Sequence, residues 1–133
     1  MNILNVPEDE IQKVYNQYKD DDSLEFFLKI GKDYMKKYGT EVVDINSLRG
    51  QEEIRRILFA CFEEIGEFAN TLKNKKWCVS EYPVDEQHMW EELADVFAFF
   101  VQLLLALNLD KEKFKRIYVS KLVINQFRLD SQY

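Results

Sequence analysis

Chain breakers are scarce in this sequence: 133 residues hold only four glycines and two prolines. That scarcity argues against a turn-rich β-sandwich or barrel and leaves room for long uninterrupted helices. Cysteine is scarcer still, with Cys61 and Cys78 the only two. Neither sits in a C-x-x-C pair or at ligand spacing from a histidine, which argues against a disulfide scaffold or a structural zinc site. Cys61 falls on an apolar helical seam and reads as a small core residue. The single histidine, His88, has no evident partner and reads as a surface residue. No apolar run is long enough for a bilayer: the longest, 93–107, is interrupted by Asp95 and Gln102 and falls short of the ~20 residues a span needs. It reads as a buried core helix, with no membrane partner. The opening residues, MNILNVPEDE, show no basic segment followed by an apolar one, so no secretory leader and a cytoplasmic location are expected. Net positive charge is also missing. At a formal charge of −6 the chain lacks what phosphate-backbone binding requires, so no nucleic-acid partner is expected. A small anionic ligand would need a cation to bridge it to so acidic a protein.

What is present is helical periodicity. The length suits one domain, taken as 1–133, with an N-terminal helical extension over 1–45 and a catalytic core over 50–133. The fold class expected is an all-α helical bundle. Helices are predicted over 7–19, 24–38, 51–75, 86–107 and 111–130, with Asp22 or Ser23 capping the second and Gly39 ending it. Ile54, Leu58, Cys61, Ile65, Phe68 and Leu72 recur at alternating steps of four and three, as do Leu93, Phe97, Phe100, Leu104 and Leu107. Both stripes are bundle seams, and the short link between them makes the two helices antiparallel neighbours.

Acids crowd those seams. In FACFEEIGEFAN, Glu64 falls at the seam's edge, Glu67 beside it and Glu63 nearly opposite. In WEELADVF, Glu92 and Asp95 repeat the spacing, and the sector of Asp95 continues as Phe99 and Leu103. Carboxylates three apart repel one another. No Lys or Arg relieves them between residues 57 and 72 or between 77 and 110. A solvated acidic face accounts for one such helix. Two matched pairs on neighbouring helices, with Asp95 facing an apolar sector, point instead to a hard-cation site in which Glu64, Glu67, Glu92 and Asp95 hold Mg2+.

Two further stretches carry basic or aromatic groups. Lys121, Asn125 and Arg128 share one face near the C-terminus, with Tyr118 and Gln132 extending it. The strip suits a phosphate chain held by metal, and equally an ordinary amphipathic surface. In LKNKKWC, Trp77 could stack on a base or cover the core, and the lysines could serve a helix C-terminus.

These residues resemble the all-α nucleoside triphosphate pyrophosphohydrolases, a group that includes MazG, the dCTP pyrophosphatases and the dimeric dUTPases. Glu64-x-x-Glu67 and Glu92-x-x-Asp95 carry the resemblance. The tail Tyr118, Lys121, Asn125, Arg128 and Tyr133 looks most like the dimeric dUTPases. The chain departs from that branch at Ala98, Leu122, Leu129 and Gln132. The resemblance implies a four-helix catalytic core, a homodimer and Mg2+-dependent hydrolysis of dUTP to dUMP and pyrophosphate. Glu64, Glu67, Glu92 and Asp95 would bind metal, with Glu64 or Glu67 as the catalytic base. Asn70, Trp77, Lys121, Asn125, Arg128 and Tyr133 would contact the nucleotide. A MazG-like or dCTP-cleaving relative with another base preference stays open, as does a non-catalytic helical binding or regulatory bundle.

Overall fold

Asp22 opens the first helix of the computed structural model, which describes residues 9, 16, 20–38 and 41–130. Its carboxylate accepts the Glu25 backbone N–H at 2.9 Å, satisfying a donor that the first helical turn leaves without a partner. Helix α1 then runs over Ser23–Met35 and tightens into a 3-10 turn, Lys36–Tyr38. Of the predicted helix over 7–19 only residues 9 and 16 are described, and both are helical; the rest of it lies outside the described residues.

Helix α2 spans Leu48–Thr71, starting and stopping earlier than the predicted 51–75. Its start is set by a compact cap. The Ser47 hydroxyl donates to the Asp44 carbonyl at 2.8 Å and accepts the Gly50 N–H at 2.9 Å. Gly50 is buried so tightly that a Cβ there would stand 1.9 Å from the Asp44 oxygen, a clash with backbone that only glycine avoids. At the other end Leu72 turns extended, which moves Lys73, Lys75 and Lys76 into the connecting loop. Helix α3 covers Glu86–Ala106, capped by the Asp85 side chain, and α4 covers Lys111–Asp130. Asn108 adopts a left-handed φ of 52°, a conformation Asn tolerates better than most residues. Among the described residues there are four α-helices and no strand ladder, so the fold is all-α.

The α2–α3 hairpin is the most extensive helix pair. Its strands of contact run in opposite directions: Cys61 Sγ lies 3.8 Å from the Val96 carbonyl, while Glu64 and Glu67 meet Glu92 further on. Helix α1 packs on α3, where a Cβ on Gly31 would stand 2.6 Å from Val101. The deepest residues are Ile57, Val101, Leu104 and Ala106. The predicted seams are met in part: Leu104 is buried and Ile54, Cys61, Phe68 and Leu93 are half-buried. Ile57 is 0% exposed, whereas Leu58, Ile65, Leu72, Phe97, Phe100 and Leu107 all stay partly open, Phe97 even though its ring packs edge-on against Phe27 of α1.

Helix α4 takes little part in this packing. The chain turns by 115° between α3 and α4. Lys111 pairs with Glu25 of α1, and beyond that first turn every residue from 115 to 130 is exposed, Ile117, Leu122, Val123 and Leu129 among them. No single described helix is long and apolar enough to cross a membrane.

Candidate metal centre

The hairpin brings together three of the four predicted acids. Ligand oxygens of Glu64, Glu67 and Glu92 lie within 4.8 Å of one another, close enough to converge on a cation bound at about 2.1 Å after small side-chain rotations. Glu64 and Glu67 are neighbours because they stand three residues apart on α2. Glu92 joins them because it stands on the facing turns of α3. Glu63 points away and is exposed, as its position opposite the seam predicts.

Two oxygens in this cluster, Glu64 Oε2 and Glu92 Oε2, are buried without a hydrogen-bond partner. Carboxylate oxygens are costly to bury in that condition. Burial pushes the Glu64 carboxyl above its ordinary value, and Glu67 and Asp95 push it further. Glu92 is raised first by burial and then by Glu67. Among the described residues no Lys or Arg forms an ion pair with any of the three. An all-carboxylate donor set with orphaned oxygens and no local cation fits Mg2+ chemistry.

Asp95, the fourth predicted ligand, is exposed and lies outside the three-acid group. The wheel places it beside an apolar sector, but no described helix closes over that side. Its charge still reaches Glu64 and Glu92, so it stands at the cluster's rim.

An acid whose pKa is higher in the folded chain than in the unfolded one stabilises the fold below its unfolded value. That contribution is lost as pH rises through the folded value. The metal-free protein is therefore expected to lose melting temperature as pH climbs above 4.5, the ordinary value for Glu64 and Glu92. Mg2+ should restore it near neutrality by neutralising the cluster. Glu53, held low by Arg56, and Asp22, held low by the Glu25 N–H, act in the opposite direction. Their contribution is present above their ordinary values and is lost only on the acid side. Thermal denaturation in EDTA and in Mg2+ between about pH 5 and 8 checks this; a metal-free curve that rises across that window would contradict it.

The remaining predicted contacts lie at different places. Asn70 is exposed on the last turn of α2, three residues after Glu67 and so on the adjoining turn. Trp77 sits in a tight turn closed by the Lys75–Cys78 backbone pair, with Lys75 Nζ 5.7 Å above its ring. It is 82% exposed, which corrects the reading of it as a lid on the core. Lys121, Asn125 and Arg128 lie on the exposed part of α4. Glu92 is roughly 20 Å along α3 from the bend that starts α4, at about 1.5 Å per residue. Tyr133 lies outside the described residues.

His88 is the group that sequence reading missed. It is exposed, as predicted, but it does have a partner: its Nδ1 lies 3.5 Å from Glu92 Oε1. The signal was the i, i+4 spacing on one helix.

Comparison with known proteins adds one match. A family model described as dUTPase matches residues 35–116. The matched stretch contains all four acids and Trp77, and it stops before Tyr118 and the basic strip. It begins ahead of the motifs that carry the resemblance in the sequence. No curated protein and no solved structure matches the chain.

Proposed function

The chain belongs to the all-α dUTPase family, and from that premise we propose that it hydrolyses dUTP to dUMP and pyrophosphate in a Mg2+-dependent reaction. Family membership supports nucleotide pyrophosphohydrolase activity in general. The observation that carries the finer reading is the orphaned oxygens of Glu64 and Glu92 in a three-carboxylate cluster that no Lys or Arg relieves.

In this reading Glu64, Glu67 and Glu92 hold the cation, and Asp95 joins them from the rim. When bound, Mg2+ neutralises the phosphate chain and makes a nearby water more acidic than bulk water. Glu67, the exposed member of the trio, orients the attacking water and accepts its proton, with Glu64 the other carboxylate placed for that role. The water oxygen bonds to the α-phosphorus, the bond from that phosphorus to the bridging oxygen breaks, and pyrophosphate leaves. Lys121 and Arg128 stabilise the charge on the leaving phosphates, Asn125 and Asn70 bond to sugar or phosphate, and Trp77 offers its open face to the base. Tyr133 is assigned to the nucleotide by the resemblance of the tail.

The molecule acting is a homodimer in this reading. So much exposed apolar surface on α4, together with Phe59 and Phe62 of α2, is the mark of an interface. A second copy would cover it.

A panel of the four common dNTPs plus dUTP, each with and without Mg2+ and with pyrophosphate detected, tests the substrate. The expected result is cleavage of dUTP at least about tenfold faster than of the others, a difference of one good pocket contact. Preference for dCTP would move the chain to the dCTP-cleaving relatives. Inertness toward every nucleotide, with no Mg2+ binding, would leave the regulatory bundle.

A further inference from the structure

Glu92 places its two oxygens in different surroundings. Oε2 is buried without a partner, while Oε1 faces the imidazole of His88 at 3.5 Å. Among the described residues, His88 is the one basic side chain within ion-pair reach of the three clustered acids. The side chain of Glu92 is 15% exposed and that of His88 51%, so the imidazole approaches from the solvent side and the free oxygen is left turned inward.

We propose that His88 is a positioning residue, holding the Glu92 carboxylate in the orientation that presents its inner oxygen to a divalent cation. The proposal rests on the metal reading given above. Its physical basis is rotameric. Glu67 and Glu92 repel while both are charged, and a glutamate with three free torsions relieves that repulsion by swinging outward. A donor one turn earlier on the same helix opposes the swing by engaging the outer oxygen, leaving the inner one free. Groups that hold a metal ligand in this way typically carry about 10- to 100-fold in metal affinity.

The same turn of α3 shows which replacement should work. Gln87, the preceding residue, already reaches Glu91 across i, i+4, with its amide nitrogen 3.1 Å from the carboxylate. A glutamine at position 88 therefore has the length to reach Glu92, and alanine does not.

The test is Mn2+ binding to the full chain without nucleotide, followed by the paramagnetic resonance signal of free Mn2+. His88→Ala is expected to weaken binding by about tenfold. His88→Gln should stay closer to the parent than to the alanine variant. Circular dichroism should show unchanged helix content in both, since the site is exposed. Alanine binding within about twofold of the parent, or glutamine as weak as alanine, overturns the role of His88 while leaving the metal site intact. A parent protein that binds no Mn2+ removes the metal reading itself, and the role of His88 with it.

Discussion

Glu67→Gln is expected to lower Mg2+-dependent turnover by about 10²- to 10⁴-fold, the range for loss of a positioned proton acceptor, and to leave the fold intact. Glu67 is exposed, so the change removes no packing. Glu64→Gln should lose activity to a similar extent with a different signature in stability. Its carboxylate has a buried oxygen without a partner and is pushed toward the protonated form by burial and by its acidic neighbours. A neutral amide relieves that repulsion, so the metal-free Glu64→Gln protein should melt about 2–4 °C higher than the parent. Loss of function coupled to a gain in stability is what a charged site held together for a ligand produces. Steady-state kinetics and thermal melts in EDTA check both halves. Variants that keep turnover within about threefold of the parent would place the chemistry elsewhere.

The second large effect concerns assembly. The parent is expected to sediment at twice the 16.0 kDa chain mass. Replacing Leu122 and Val123 together by glutamate should convert it to a monomer. Both are exposed, Val123 at 63%, so charge there costs a single chain little; buried against a second copy it costs several kcal/mol per pair of sites. Adjacent helical positions differ by about 100°, so the double change disturbs two flanks of α4 at once. Turnover should fall with assembly. Within one chain Lys121, Asn125 and Arg128 leave with α4 from the end of α3 remote from Glu92, so under the proposed dimer they would reach phosphates held at the acids of the other copy. Sedimentation velocity alongside kinetics reads both effects. A double variant that stays dimeric, or a monomer with full activity, would contradict this arrangement.

The sequence carried the helices well because their periodicity and caps are local. The expected span of 111–130 coincides with α4, and 86–107 overshoots α3 by one residue. Glu64, Glu67 and Glu92 were legible as a group for the same reason: seam position fixes which faces of neighbouring helices meet. What failed depended on what covers each face. The sector of Asp95 continues apolar, yet a helix wheel does not say whether a neighbour lies there, and Asp95 is exposed. The same gap explains why only part of the predicted seam is buried. Leu58 and Ile65 have the pattern of core residues, and that pattern does not say how far a neighbour covers them. Trp77 depended on the shape of a four-residue turn that composition does not fix. The His88–Glu92 pair follows from i, i+4 spacing on one helix, but that spacing alone does not fix whether two side chains turn toward each other.

The most direct measurement is anomalous diffraction from crystals of the protein grown with Mn2+ in place of Mg2+. A peak within about 2.0–2.3 Å of carboxylate oxygens from Glu64, Glu67 and Glu92 is the expected result. Crystals in which these three side chains turn separately into solvent, with Mn2+ bound elsewhere or not at all, would contradict it.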